Sequence, residues 1–142
     1  MHGIRRPADI RIPNYAGGCP LALDVSVVSS LQSSLVVMAA SDPGHALDHR
    51  HQEKWRKYGE LCLQEGIVFL PLACEVLGAW HKSAIAEIKR LGIHLARVVG
   101  QEEAEVVGHL FGRLSVLLQR GNSQLILART PTHPQPEVTG IF

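Results

Sequence analysis

Three residues in the first half of the chain have types and spacing suited to phosphate chemistry: Asp9 in "RRPADIRIP", Asp24 in "LALDVSVVSS" and Lys54 in "HQEKWRKYG". Each aspartate interrupts a run with strand-like alternation, where an ionised carboxylate facing a core is costly. If the intervening "PNYAGGCP" turns symmetrically about Ala16–Gly17, hairpin partners sum to 33 and Asp9 stands opposite Asp24. Directly opposed residues have Cβ atoms about 5 Å apart. Two carboxylates that close repel unless a hard cation lies between them. Mg²⁺ (or Mn²⁺) takes one or two carboxylates and fills its shell with water and phosphate oxygens.

A lysine completes the set. Leu47, Lys54, Tyr58 and Leu61 share one helical stripe, so Lys54 projects from the sheet-facing side. Lys57 lies about 60° away around the same helix. Two acids and a lysine beside a divalent metal can hydrolyse a phosphodiester. The same residues also fit a surface hairpin with solvated acids and Lys54 in a salt bridge.

The elements that must position these residues follow from periodicity. Residues 8–13 and 21–28 alternate as strands. Residues 31–40 fit either a loop or a short helix. "SDPGHALDHRHQEKWRKYGELCLQEG" reads as a helix, capped by Ser41 or Asp42 and ended by Gly66. "IVFLPLACEV" is continuously apolar, which predicts a central third strand. Two helices follow. Ile85, Ile88, Leu91, Leu95 and Val98 stripe the first; Val106, Leu110, Leu114, Leu117 and Leu118 stripe the second, with Gly121 as its end. "SQLILAR" fits a short strand or a helical turn, and "TPTHPQPEVTGIF" a flexible tail.

Composition narrows the function. The chain of 142 residues is 46% hydrophobic and 19% charged, with a net charge of +1, an ordinary globular balance without the basic field of a non-specific nucleic-acid coat. Cys19, Cys62 and Cys74 lack CxxC spacing, which argues against a zinc knuckle or disulfide framework and for a reducing, intracellular compartment. No signal peptide is expected, and no apolar run is long enough to span a bilayer.

Taken in order, "RRPADIRIP", "LALDVSVVSSL", "HQEKWRKYG" and "GIVFLPLACEVLGAWHKSA" resemble the restriction-like endonuclease region of non-LTR retrotransposon and related reverse-transcriptase-derived proteins, a branch of the PD-(D/E)xK nuclease superfamily. The resemblance covers roughly residues 5–130. Arg6, Pro7 and Asp9 match the first motif, with Ala8 intervening; Asp24 follows after fourteen residues; Lys54, Lys57 and Tyr58 supply the K-x-x-K-Y segment. Ser26 stands where the superfamily usually has its lysine, and only Met1–Arg6 precede the first motif. The resemblance implies a four-stranded mixed sheet, Mg²⁺-dependent DNA cleavage for target nicking or branched-DNA processing, and a nuclear protein. Its implied catalytic set is Asp9, Asp24 and Lys54, with Asp9 and Asp24 holding the metal.

Other residues fit two readings each. Glu75 suits an extension of the metal site or a helix N-terminal acid. Gly78 and Trp80 suit a tight bend and an aromatic anchor. His45 and His49, spaced i, i+4, could clamp a transition metal, but there is no H-E-x-x-H pattern and solvated helix-face histidines fit better. Arg5, Arg6, Arg11, Lys54, Arg56 and Lys57 suit a phosphate-binding rim or scattered surface charge.

The expected fold is therefore mixed α/β (α+β), a small mixed sheet flanked by helices with a restriction-endonuclease-like core and extra C-terminal helices. Residues 1–130 form the domain and residues 131–142 a tail. The expected partners are DNA, and a second copy or a larger polyprotein through the Leu-rich last helix, with no membrane. The alternative function is an inactive relative that binds nucleic acid or drives oligomerisation.

Overall fold

The computed structural model describes residues 8–130. The fold is a three-stranded mixed sheet with helices on both faces. In chain order the elements are β1 (Ile10–Ile12), a 3₁₀ turn (Ala16–Gly18), β2 (Leu21–Val28), α1 (Val36–Ser41), α2 (His45–Gln64), β3 (Val68–Glu75), α3 (Lys82–Val99) and α4 (Glu103–Arg129). The sheet order is β1-β2-β3. β1 runs antiparallel to β2 in the expected register: Ile10 pairs with Leu23, Arg11 with Ala22 and Ile12 with Leu21. β3 runs parallel to β2, with Leu21 opposite Val68 and Asp24 opposite Pro71. A parallel pair needs a crossover, and α1 and α2 supply it.

Strand alternation sorts the core into two layers. On one face Ala22, Phe69 and Cys62 form one cluster, and Val28, Ala73, Leu35, Ala46 and Leu47 another, so α2 covers this side. On the other face Leu21, Leu23 and Leu72 pack with Ala84 of α3, joined by Trp80, Tyr15 and Leu91.

Four sequence expectations change. Among the described residues there are three strands, not four. β3 is an edge strand, although its apolar run predicted a central one. The missed signal is Pro71, which has no N–H to give a ladder and is tolerated at an edge. The outer edge of β3 is closed further on by the return of the chain, where Glu75 N–H donates to Ala79 O at 2.7 Å and His81 N–H to Ala73 O at 3.0 Å. Gly78, at φ 108°, makes that bend, and Trp80 anchors it in the core.

Third, α3 buries Ala84, Ile88, Gly92 and Ala96, while Leu95 and Val98 of the expected stripe are exposed. Small residues line this face because α4 lies close: a Cβ built on Gly92 would stand 2.8 Å from Val107 Cγ2. Finally, α4 runs through Gly121 and takes in "SQLILAR" as helix. An interior glycine costs only about 1 kcal/mol, and Asn122 Nδ2 anchors the continuing helix by donating to Val76 O at 2.8 Å. Residues 31–40 hold the start of the short helix α1. No helix among the described residues is long and apolar enough to cross a membrane.

Candidate active site

Asp24 lies at the fourth position of the central strand, on the face covered by α2, and is buried. Lys54, from the third turn of α2, reaches down to it: Nζ stands 2.9 Å from Asp24 Oδ2. The lysine is partly buried, its stem lying along the flank of the helix as long cationic side chains do on apolar surface. The contact is an ion pair; Oδ2 accepts no aligned hydrogen bond among the described residues and is out of contact with solvent. Two positions further along the same face, Ser26 Oγ is also buried without a partner. The central strand thus carries two successive inward polar groups, Asp24 and Ser26, on its α2 face.

Asp9 sits one position before β1, bonded to the residues on either side of Asp24. Its backbone N–H donates to Leu23 O at 2.9 Å, and its carboxylate accepts the Val25 N–H at 2.8 Å. The side chain replaces a ladder carbonyl where the β1 pairing ends, and it stays solvent-exposed. Arg11 is exposed and pairs with Ala22, two residues before Asp24 on the same face of β2. Asp24 and Lys54 therefore meet on the α2 side of the sheet, with Asp9 and Arg11 on the neighbouring strand and its end. One or two carboxylates on adjacent strands suit the donor set Mg²⁺ takes, while Asp24 Oδ2 already has the Lys54 ammonium beside it. Among the described residues no group of three or more His, Cys, Asp or Glu could hold a metal ion.

The remaining expected residues divide. Tyr58 is partly buried on α2, against Phe69 at 5.9 Å between ring centroids. Lys57 is exposed, its Nζ 5.0 Å from the Tyr58 ring centroid, and it makes no ion pair with either aspartate. Arg56 is exposed on the opposite flank of α2, away from Asp24. Glu75 is buried and engaged elsewhere. It accepts from Ser30 Oγ at 3.0 Å and Leu77 N–H at 2.8 Å, fastening the loop after β2 to the turn after β3. It stands four residues along β3 from the Asp24 row, about 13 Å at strand rise, too far to share an ion with Asp24. Arg5 and Arg6 lie outside the described residues.

Sequence reasoning missed the histidine cluster. His45 and His49 only tilt toward one another at 6.3 Å. The ordered pair is His51, from α2, stacked on His81 with centroids 4.1 Å apart and planes within 9°. His81 caps α3, its Nδ1 accepting the Ser83 N–H at 3.2 Å, while Nε2 pairs with Asp48 at 2.9 Å. Burial, then the neighbouring His81, holds His51 below its ordinary pKa. Helical spacing puts His51 near Leu47 and Tyr58, which was the available signal. A second missed cluster ties the hairpin to α3. The buried Glu87 accepts from Tyr15 Oη at 2.9 Å and Arg90 at 2.7 Å, with Arg90 lying over the Tyr15 ring. Burial pushes the Glu87 carboxyl up. Cys74, buried next to Glu75, has its thiol pushed up to about 11, so it stays protonated and inert.

Compared with known proteins, the chain matches no family model, no curated protein and no solved structure.

Proposed function

We propose that Asp24, Lys54 and Asp9 form the active site of a metal-dependent DNA endonuclease with a restriction-endonuclease-like core. The observation that carries the reading is the 2.9 Å approach of Lys54 Nζ to a buried aspartate on the central strand, with a second aspartate bonded to the residues on either side of it. A lysine on this face of a sheet needs a reason, and an ion pair alone is a weak one, because desolvation offsets much of the attraction.

Asp24 and Asp9 would hold Mg²⁺ or Mn²⁺, which when bound activates water and neutralises charge developing on the phosphoryl group. Lys54 holds Asp24 oriented. It also presents an ammonium where the attacking water and a non-bridging phosphate oxygen would sit. Water oxygen bonds to phosphorus as it loses a proton to solvent, one P–O bond breaks, and the leaving oxygen takes a proton from solvent. Arg11 and Lys57 supply backbone contacts that position the strand without reading sequence. On this reading the partner is DNA and the compartment is the nucleus.

The alternative is an inactive relative that binds or oligomerises. Val116, Leu117, Leu125, Ile126 and Leu127 of α4 are exposed and favour association with a second copy or a larger chain. Cleavage of duplex, nicked and branched DNA with Mg²⁺ or Mn²⁺ decides between them. Asp24→Asn keeps shape and removes charge. The nuclease reading requires metal-dependent cleavage by the wild type that this variant loses while remaining folded; equal activity of the two proteins rejects it.

A further inference from the structure

Lys54 and Trp55 are consecutive residues that serve opposite flanks of α2. Lys54 points to Asp24, whereas Trp55 borders a cavity of about 380 Å³ at the β3 edge, lined by His51, Gln52, Trp55, Arg56, Leu70 and Ser83. The indole lies flat against its own helix because residue 59 is glycine: a Cβ there would sit 3.0 Å from the ring. Its edge rests near Phe69, with centroids 5.9 Å apart. The other side of the ring is open, and Trp55 is 49% exposed. A flat aromatic face is thus held rigidly beside a guanidinium, a carboxamide and an imidazole, in a concave site within the size range of small-ligand pockets.

We infer that this cavity receives an unpaired nucleobase of single-stranded DNA, stacked on Trp55, on the same strand as a phosphate at Asp24–Lys54. Stacking on an aromatic platform tolerates any base, because every base has a π-face. Gln52 offers an amide to a base edge, and Arg56 offers a charge to the adjoining backbone. The two sites flank α2, so one strand joining them passes around the outer face of a helix about 10–12 Å across. A base buried in a duplex cannot reach Trp55, so the inference selects a single-stranded or branched substrate over an intact duplex. It rests on the nuclease reading for the placement of the phosphate, but not for the stacking itself.

The test uses the full chain with Trp80→Phe, leaving Trp55 as the sole indole, and an eight-nucleotide oligo(dT) without divalent metal. The expected result is saturable quenching of Trp55 fluorescence by oligo(dT) and much weaker quenching by a blunt duplex. In the wild-type background, Trp55→Ala should weaken oligo(dT) binding roughly 5- to 150-fold, the scale of one base–aromatic stack. Trp55→Phe, which keeps a π-face, should recover most of it. Binding without quenching, or equal affinity of wild type and a folded Trp55→Ala, overturns the inference. If Trp55→Ala does not fold, the quenching measurement decides alone. Metal-dependent cleavage that Asp24→Asn abolishes, with no Trp55 quenching, overturns the stacking site and leaves the nuclease standing. Quenching without any cleavage does the reverse.

Discussion

Asp9 brackets Asp24: its backbone N–H bonds the carbonyl of the residue before Asp24, and its carboxylate bonds the N–H of the residue after it. The exposed Asp9 is thereby fixed to the two residues that flank the buried Asp24. The end of a short strand, where a ladder bond would be lost, becomes the place where a second acid is secured. The consequence is that Asp9 serves backbone order and, on the proposed function, metal binding with the same carboxylate.

These two duties separate by substitution. Asp9→Asn keeps an oxygen for the Val25 N–H, so stability should stay within about 0.5 kcal/mol of wild type. Asp9→Ala loses the bond and should cost roughly 0.5–1.5 kcal/mol. Both remove the charge, and both should lose metal-dependent cleavage. Urea denaturation beside a cleavage assay checks the pair. Full activity in Asp9→Asn would confine Asp9 to the structural duty.

The α3–α4 contact predicts a stability effect remote from the site. Gly92→Ala puts a methyl group 2.8 Å from Val107 Cγ2 and 3.4 Å from Val107 Cα. Overpacking of this kind costs about 1–3 kcal/mol. Gly108→Ala, with open space around the added Cβ and a gain in helix propensity, should be neutral or stabilising. The denaturant midpoint of Gly92→Ala should therefore fall, and that of Gly108→Ala should hold or rise.

His51 gives the fold an acid limit. Burial and the adjacent His81 lower its pKa from the ordinary 6.5, opposed by Asp48 and helped by Lys82. A histidine with a lowered pKa is protonated more readily in the unfolded chain, so its contribution to stability is complete above about pH 6.5 and declines as the pH falls through that value. The urea midpoint of wild type should drop between pH 7.5 and 5. In His51→Gln the histidine-linked part of that drop should disappear, leaving a shallower slope. An unchanged slope would show that other groups carry the pH dependence.

The hairpin was legible because both determinants are local. Alternation placed the faces of β2, and the Pro/Gly-rich turn set the register of Ile10–Ile12 against Leu21–Leu23; just before β1 the alternation breaks, because Ala8 packs with Ala22, Cys62 and Phe69 on the α2 side while Ile12 packs on the other. Lys54 was legible because a helical stripe carries direction. What escaped was set by tertiary packing. The edge position of β3 depends on which strands exist elsewhere, although Pro71 hinted at it. The buried stripe of α3 is made of Ala and Gly, which hydropathy undervalues and which close helix approach requires. The engagement of Glu75 depends on Ser30 and Leu77, which belong to two loops whose meeting no spacing rule predicts. The His51–His81 stack joins residues thirty positions apart through the return of the chain past β3.

The most direct test of the Asp24–Lys54 site compares two neighbouring lysines in single-turnover cleavage at saturating DNA. Lys54 touches Asp24, whereas Lys57 is exposed beside Tyr58 and pairs with neither aspartate. Loss of a group that acts on the transition state lowers the chemical rate by roughly 10²-fold or more. Loss of one phosphate contact weakens binding and reduces its salt dependence. Lys54→Ala should therefore cut the single-turnover rate about 100-fold, and Lys57→Ala should leave that rate near wild type while weakening DNA binding. A rate that falls in Lys57→Ala and survives in Lys54→Ala contradicts the assignment of Asp24 and Lys54 as the catalytic pair.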